Sequence, residues 1–446
     1  MKEFQVAYVP IGVPTFHLES AQKEFEHSVE LLHRLTDAAV CPSEMLLSID
    51  LLDTFLDTLE PDLIILQNIT FANAAYASEV LKRFDCPILL WTLREPVIDG
   101  GRLRLNSLTG AYSAANAIKA FRKEPLNYIF GSPEEPEVVE RIHGTIRAAK
   151  LKYDMAHLKL AAVGHTPQGF GFGRALDLEL LEAFGVTLES IEARELIDKA
   201  KSYTEEEIAS YLQDASGRMY GLENTPEQNR IDFARLYKAY RDYVTEGNIG
   251  ALASRCWPDF FTAFGTPVCG ALAMLNDLGM AASCEADTYG ALSMYAGMQL
   301  SGQPVFFGDP VSMDEQENTI TYWHCGTAAC SLARTDTGAK VDVHCNRKIG
   351  PTLDFGCRAC EHVTVFRIGK DNEGNFRFFI ASGEALDKPK QFNGTSVVVR
   401  MNEEAKRVVY ESVEAGWEPH FAVIYGDVAE ELELLAHMYD MEVQRY

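Results

Sequence analysis

The stretch Cys284–Asp309, CEADTYGALSMYAGMQLSGQPVFFGD, carries acids only at its two ends. Glu285 and Asp287 open it, Asp309 closes it, and the residues between are small and apolar. Positions 285–301 read as a helix with a small-residue face (Ala286, Gly290, Ala291, Ala296 and Gly297), and PVFFGD reads as a strand whose carboxyl end delivers Asp309. A helix running into a strand assigns an α/β architecture, and the crevice beyond the carboxyl ends of its strands is where such sheets bind ligands. Glu285 follows the apolar run MAASC, which places it at another strand end. Two readings of the acids stay open. They cap a helix and a turn, or they converge on one crevice, where mutual repulsion calls for a shared cation or a shared proton.

Upstream of this stretch the α/β rhythm is regular. FQVAYVP, PDLIILQNITF and CPILLWTLREP read as strands. Between them, 18–35 and 43–60 read as helices, with Phe25, Val29, Leu32 and Leu35 on one helical stripe. A long charged helix over 136–155 closes this first unit, expected to span residues 1–155. The rhythm restarts with LKLAAVGH, a glycine-rich loop (TPQGFGFGRA) and strongly helical sequence over 204–248, so 156–310 is expected to be a second α/β unit. Downstream, alternation takes over in KVDVHC, HVTVFRIG, NFRFFIASGEAL, SVVVRM and HFAVIYGD, separated by turn signals such as DNEGN and FNGT. Residues 311–446 are therefore expected to form a β-rich, barrel-like domain closed by a helix over 428–440. The fold class is two Rossmann-like doubly wound α/β domains followed by that barrel.

Composition narrows the function. A chain of 446 residues accommodates about three domains at roughly 150 residues each. Its net charge of −25 argues against binding nucleic acid phosphates. No apolar run approaches the ~18 residues of a membrane helix, and the N-terminal sequence lacks the form of a signal peptide. Ten scattered cysteines then imply reduced thiols in a cytoplasmic protein. VHCN…GCRACEH gathers His344, Cys345, Cys357, Cys360 and His362, a weak zinc pattern because its C-x-x-C has no matched second pair. The glycines of HTPQGFGFG do not follow the dinucleotide-binding spacing.

Histidines favour the metal reading of the acids. His324 in WHCG lies fifteen residues after Asp309, and His420 precedes the run FAVIYGD. Carboxylates with imidazoles suit Mn²⁺ or a similar divalent ion. CEAD…FFGD, NTITYWHCG and PHFAVIYGD together resemble the L-fucose isomerase and L-arabinose isomerase superfamily. PDLIILQNITFANA and CPILLWTLREP resemble its N-terminal domain, and LKLAAVGHTPQGFGFG and ASRCWPDFF its second. The resemblance runs through nearly the whole chain in order.

That resemblance implies an aldose–ketose isomerase working through an enediol(ate), with a small sugar as substrate. Glu285, Asp309 and His420 are then metal ligands, and His324 a further one. Glu285 and Asp309 are also the proton carriers, and the metal is Mn²⁺, with Co²⁺ or Mg²⁺ as alternatives. It further implies a homo-oligomer, a trimer or hexamer, with active sites at subunit interfaces. Trp91, Arg94, Arg255 and Trp257 are candidate substrate contacts. Arg102 and Arg104, in the loop GGRLRLNS, are candidates to grip an anionic substituent, because an arginine fork matches sulfonate or phosphate. The substrate is thus a neutral sugar or, alternatively, a sulfonated one, sulfoquinovose giving 6-deoxy-6-sulfofructose. A non-catalytic sugar-binding protein on the same fold is the other alternative.

Overall fold

The computed structural model describes residues 2–446. The chain forms two compact units: the residues through Tyr153 with Leu434–Asp440, and Asp154–Glu433 with Met441–Tyr446.

The first unit is built on five parallel strands: β1 (Val6–Ile11), β2 (Ala39–Val40), β3 (Leu63–Asn68), β4 (Ile88–Thr92) and β5 (Asn127–Phe130). Their order is β2-β1-β3-β4-β5, a doubly wound sheet. β1, β3 and β4 are buried along their whole length, which is why they read as unbroken apolar runs. Alternate residues of β1 feed separate cores, Ala7 and Val9 on one face and Val6 and Tyr8 on the other. The helix expected over 18–35 forms at Leu18–Leu35, with Phe25 and Leu32 buried on the expected stripe.

The second unit contains both a parallel sheet and a barrel. β6 (Lys159–Val163), β7 (Thr187–Ile191), β8 (Ala251–Ser254) and β9 (Ala281–Cys284) are parallel in the order β7-β6-β8-β9. The later strands are β10 (Val305–Asp314), β11 (Thr319–His324), β12 (Val341–Asp342), β13 (Thr352–Leu353) and β14 (Phe355–Gly356). They continue with β15 (Cys360–Lys370), β16 (Phe376–Ala385), β17 (Thr395–Met401), β18 (Phe421–Tyr425) and β19 (Glu442–Arg445). The order β17-β11-β10-β18-β15-β16 is antiparallel throughout and returns to its start through a β16–β17 pairing. The barrel is therefore closed, which removes the open strand edges of so long a sheet.

Helix Thr288–Ser301 joins the two layers, packing on β8 and β9 and also on β10, β15 and β18. A helix buried over most of its surface, with only Gln299 exposed, has almost no polar face, which explains the apolar composition of Cys284–Asp309. Its small residues let the layers approach. A Cβ on Gly290 would lie 2.5 Å from Phe307, and one on Gly297 would lie 2.6 Å from Ile424.

Two expectations are corrected. Asp309 does not end its strand; β10 runs on to Asp314 through a bulge between Pro310 and Ser312. KVDVHC makes only the two-residue β12, because the chain turns back on itself from His344, whose amide bonds to the carbonyl of Ile349.

Candidate active site

β9 hands the chain to the site through a local strain. Glu285 and Ala286 have φ of +60° and +55°, a left-handed conformation that costs a non-glycine residue about 1–2 kcal/mol. Asp287 then starts the helix, its Oδ1 accepting from the amide of Gly290 at 2.9 Å. Consecutive strained residues at a cavity are a recurring mark of function. Ala286→Gly is expected to raise the unfolding temperature, since glycine escapes most of that cost. It should lower kcat by loosening the aim of Glu285. Calorimetry and steady-state kinetics check both, and an unchanged kcat would mean the strain does not hold the carboxylate.

Asp287 is both a cap and an anchor. Its carboxylate is buried, takes two bonds from the guanidinium of Arg367 (2.6 and 3.1 Å), and faces His420 Nδ1 at 2.8 Å. Arg367, on β15, is itself wholly buried. Burial alone would raise the Asp287 pKa, but the charge of Arg367 and the bonds from His420 and Arg367 hold it well below the usual carboxylate range. An ionised Asp287 keeps the proton of His420 on Nδ1. Nε2 then faces the cavity, where a cation could take the place of its proton, the arrangement by which carboxylates orient histidine ligands to metals.

His420 Nε2 is 3.0 Å from Glu285 Oε2 and 3.4 Å from Asp309 Oδ1. Ligand atoms of Glu285, His324 and His420 all lie within 4.8 Å of one another. Burial lowers the His420 pKa, but the hydrogen bonds it donates to Asp287 and Glu285 and the nearby carboxylate charges push it up to about 9. Burial also lowers that of His324, which Cys325, Asp309 and Glu285 push up to about 9. Asp309 is raised, chiefly by burial, although both imidazoles pull it down. One carboxylate and two imidazoles facing one point, with Asp309 beside His420, make a hard-to-borderline O/N donor set that fits a divalent cation such as Mn²⁺. Soft-metal ligands are absent from that set.

These groups line a cavity of about 200 Å³, shared with Trp257, Trp323, Asn346 and Arg347. The indole Nε1 of Trp257 faces Glu285 Oε1 at 3.4 Å. The glycine-rich loop after β6 packs Phe170 and Phe172 on the imidazole of His420, with ring centres 6.3 and 5.4 Å away. Gly173 permits this, because a Cβ there would lie 2.9 Å from the backbone of Asp287. The loop that superficially suggests a nucleotide therefore seats the site's histidine.

The remaining candidates make other contacts. Arg255 pairs with Asp259 and donates to the Trp257 carbonyl, so it positions the tryptophan. Trp91, Arg94, Arg102 and Arg104 belong to the first unit. Trp91 is completely enclosed, its indole donating to the Gly131 carbonyl, and offers no surface to a ligand. Arg94 holds Glu135 with two bonds, Arg102 donates to the carbonyl of Thr15, and Arg104 donates to the carbonyl of Arg102. Cys345, Cys357, Cys360, His344 and His362 form no ligand group among the described residues. The thiols that do gather are Cys269, Cys284 and Cys325. Sequence reading missed Arg367 and Arg347, and took Asp287 only as a cap. Strand alternation does not distinguish an inward arginine from an outward one.

Residues 323–446 match the model of the L-fucose isomerase C-terminal domain. A closed barrel behind a parallel sheet, with acids and histidines around one cavity, is thus the frame of a sugar isomerase. The chain is 67% identical over 446 residues to the sulfoquinovose isomerase of Clostridium sp. (strain MSTE9), covering all of both chains. It is 37% identical over 450 residues to that of Priestia aryabhattai, again over the whole of both. With the sulfoquinovose isomerase of Alkalicoccus urumqiensis the identity is 36% over 98% of each chain. The chain belongs to this family of fucose isomerase-like sugar isomerases, and it is an isomerase. No helix among the described residues is long and apolar enough to cross a membrane.

Proposed function

We propose that the protein converts sulfoquinovose to 6-deoxy-6-sulfofructose by metal-dependent proton transfer through an enediolate. The substrate rests on the name shared by relatives that match the chain from end to end. The mechanism rests on one observation, the approach of Glu285 and Asp309 to the same nitrogen of His420. Glu285, Asp309, His420 and His324 would hold the cation, Mn²⁺ suiting them best. When bound, it would supply the positive charge that stabilises an enediolate.

The side chains supply the proton transfers. Isomerisation removes the proton on C2 and places one on C1, while the O2 hydroxyl proton passes to O1. One carboxylate of the pair carries the carbon-bound proton and the other the hydroxyl proton. Phe170, Phe172 and Phe307 pack around the His420 imidazole, which limits water there.

Chelation by EDTA is expected to abolish conversion of sulfoquinovose, and Mn²⁺ to restore it. In D₂O the ketose should carry deuterium at C1, read by NMR. Full activity after chelation would sink the metal dependence, and absence of ketose from the metal-loaded protein would sink the substrate.

A further inference from the structure

We propose that Arg347 is the anion subsite that receives the sulfonate of the substrate, a deepening that rests on the function proposed above. The turn between β12 and β13 forms one wall of the cavity and brings His344, Asn346 and Arg347 to it. His344 orders this turn. Its Nδ1 accepts from the amides of Asn346 (3.2 Å) and Arg347 (3.3 Å), and its carbonyl accepts from Lys348. Arg347 thus projects from a backbone already fixed, which reduces the ordering cost of binding through it.

The guanidinium lies 5.3 Å from the ring centre of Trp257 and 5.8 Å from that of Phe261. Rings take its face and leave N–H groups at its edge. Among the described residues no carboxylate pairs with it. Arg347 is exposed at the cavity, so its unpaired N–H edge is open to an incoming anion. Arg255 and Arg367, the other arginines near this site, are occupied by Asp259 and Asp287.

The carboxylates and the guanidinium line one cavity of about 200 Å³. Trp257 meets Glu285 with its indole nitrogen and Arg347 with its ring, so the two charges flank one side chain. In the proposed pose C1 and C2 of the sugar face the carboxylates and the sulfonate faces the guanidinium. Arginine's planar fork matches two sulfonate oxygens at once, which a lysine does not. The same cation offsets the repulsion between an anionic substrate and two carboxylates.

The test compares sulfoquinovose with quinovose, its uncharged 6-deoxy counterpart, in the wild type, Arg347→Met and Arg347→Lys. Both turnover and binding, followed by tryptophan fluorescence, are measured on the metal-loaded protein. Arg347→Met is expected to lower the ratio of kcat/KM for sulfoquinovose over quinovose by about 100-fold, as loss of a charged hydrogen-bond pair implies, mostly through KM. Arg347→Lys should recover part of it. A methionine variant whose ratio and sulfoquinovose affinity stay within threefold of wild type overturns the subsite. A wild type that binds sulfoquinovose through Arg347 without isomerising it refutes the proposed reaction and leaves the subsite standing.

Discussion

Glu285→Gln is expected to reduce kcat by at least the 10²–10⁴-fold that a general acid–base group supplies. It should do so in a protein that folds normally. The amide keeps the size of the side chain and the contact with Trp257 Nε1, but it has no negative charge to offer a cation and no basic oxygen to take a proton. Glu285 and Asp309 approach the same His420 nitrogen, and like charges so placed repel. Glu285 is also a charge partner of His420, so the two effects oppose each other and the metal-free unfolding temperature is expected to change little. Metal affinity, measured by calorimetric titration, should fall with kcat. Asp309→Asn is expected to behave alike. If Glu285→Gln retained a tenth of the wild-type kcat, the carboxylate would not be a proton carrier.

The second large effect concerns stability. Arg367→Met is expected to destabilise the protein by about 3–5 kcal/mol, because it strands the buried charge of Asp287. The two side chains are almost wholly excluded from solvent and joined by two hydrogen bonds. Asp287→Asn/Arg367→Met should recover part of the loss, since neither charge is then left alone. Denaturant unfolding of the single and double variants gives the coupling. A single-variant cost below about 1 kcal/mol, the range of an exposed pair, would show that the pair contributes little. The Asp287 pKa is depressed in the folded state, so its stabilisation is complete above the ordinary carboxylate pKa of about 4. It is lost as pH falls below that value. Arg367→Met should accordingly show a shallower loss of stability on acidification. Because Asp287 also orients His420, the same variant should weaken metal binding by roughly 10–100-fold.

These two sites differ in how visible they are along the chain. Glu285 and His420 stand beside apolar runs, and a polar group at a strand end is a recognisable signal. Asp309 was legible as an acid on a strand, but not its position within it, because a bulge and continued pairing with β11 extend β10 past it. Asp287 was legible as a helix cap, which it is. Its second task depends on Arg367, 80 residues away, and on His420, 133 residues away. Arg347 lies two residues beyond KVDVHC, whose alternation suggests a strand. Only the turn closed by His344 makes it part of the cavity wall. Arg102 and Arg104 drew attention as a local concentration of positive charge, yet their guanidinium groups donate to carbonyls of their own unit.

Sequence alone determined the architecture. Unbroken apolar runs separated by amphipathic helices dictate buried parallel strands, and period-two alternation with turn residues dictates the barrel, because both patterns report the local geometry of burial. It also determined which residue types were available for chemistry. Tertiary structure alone decided which of them meet. The closure of the barrel brings β10, β11, β15 and β18 to the end of β9, and so sets Asp309, His324, Arg367 and His420 around Glu285 and Asp287. Pairings across such separations follow from strand order and register, which no local run of residues encodes.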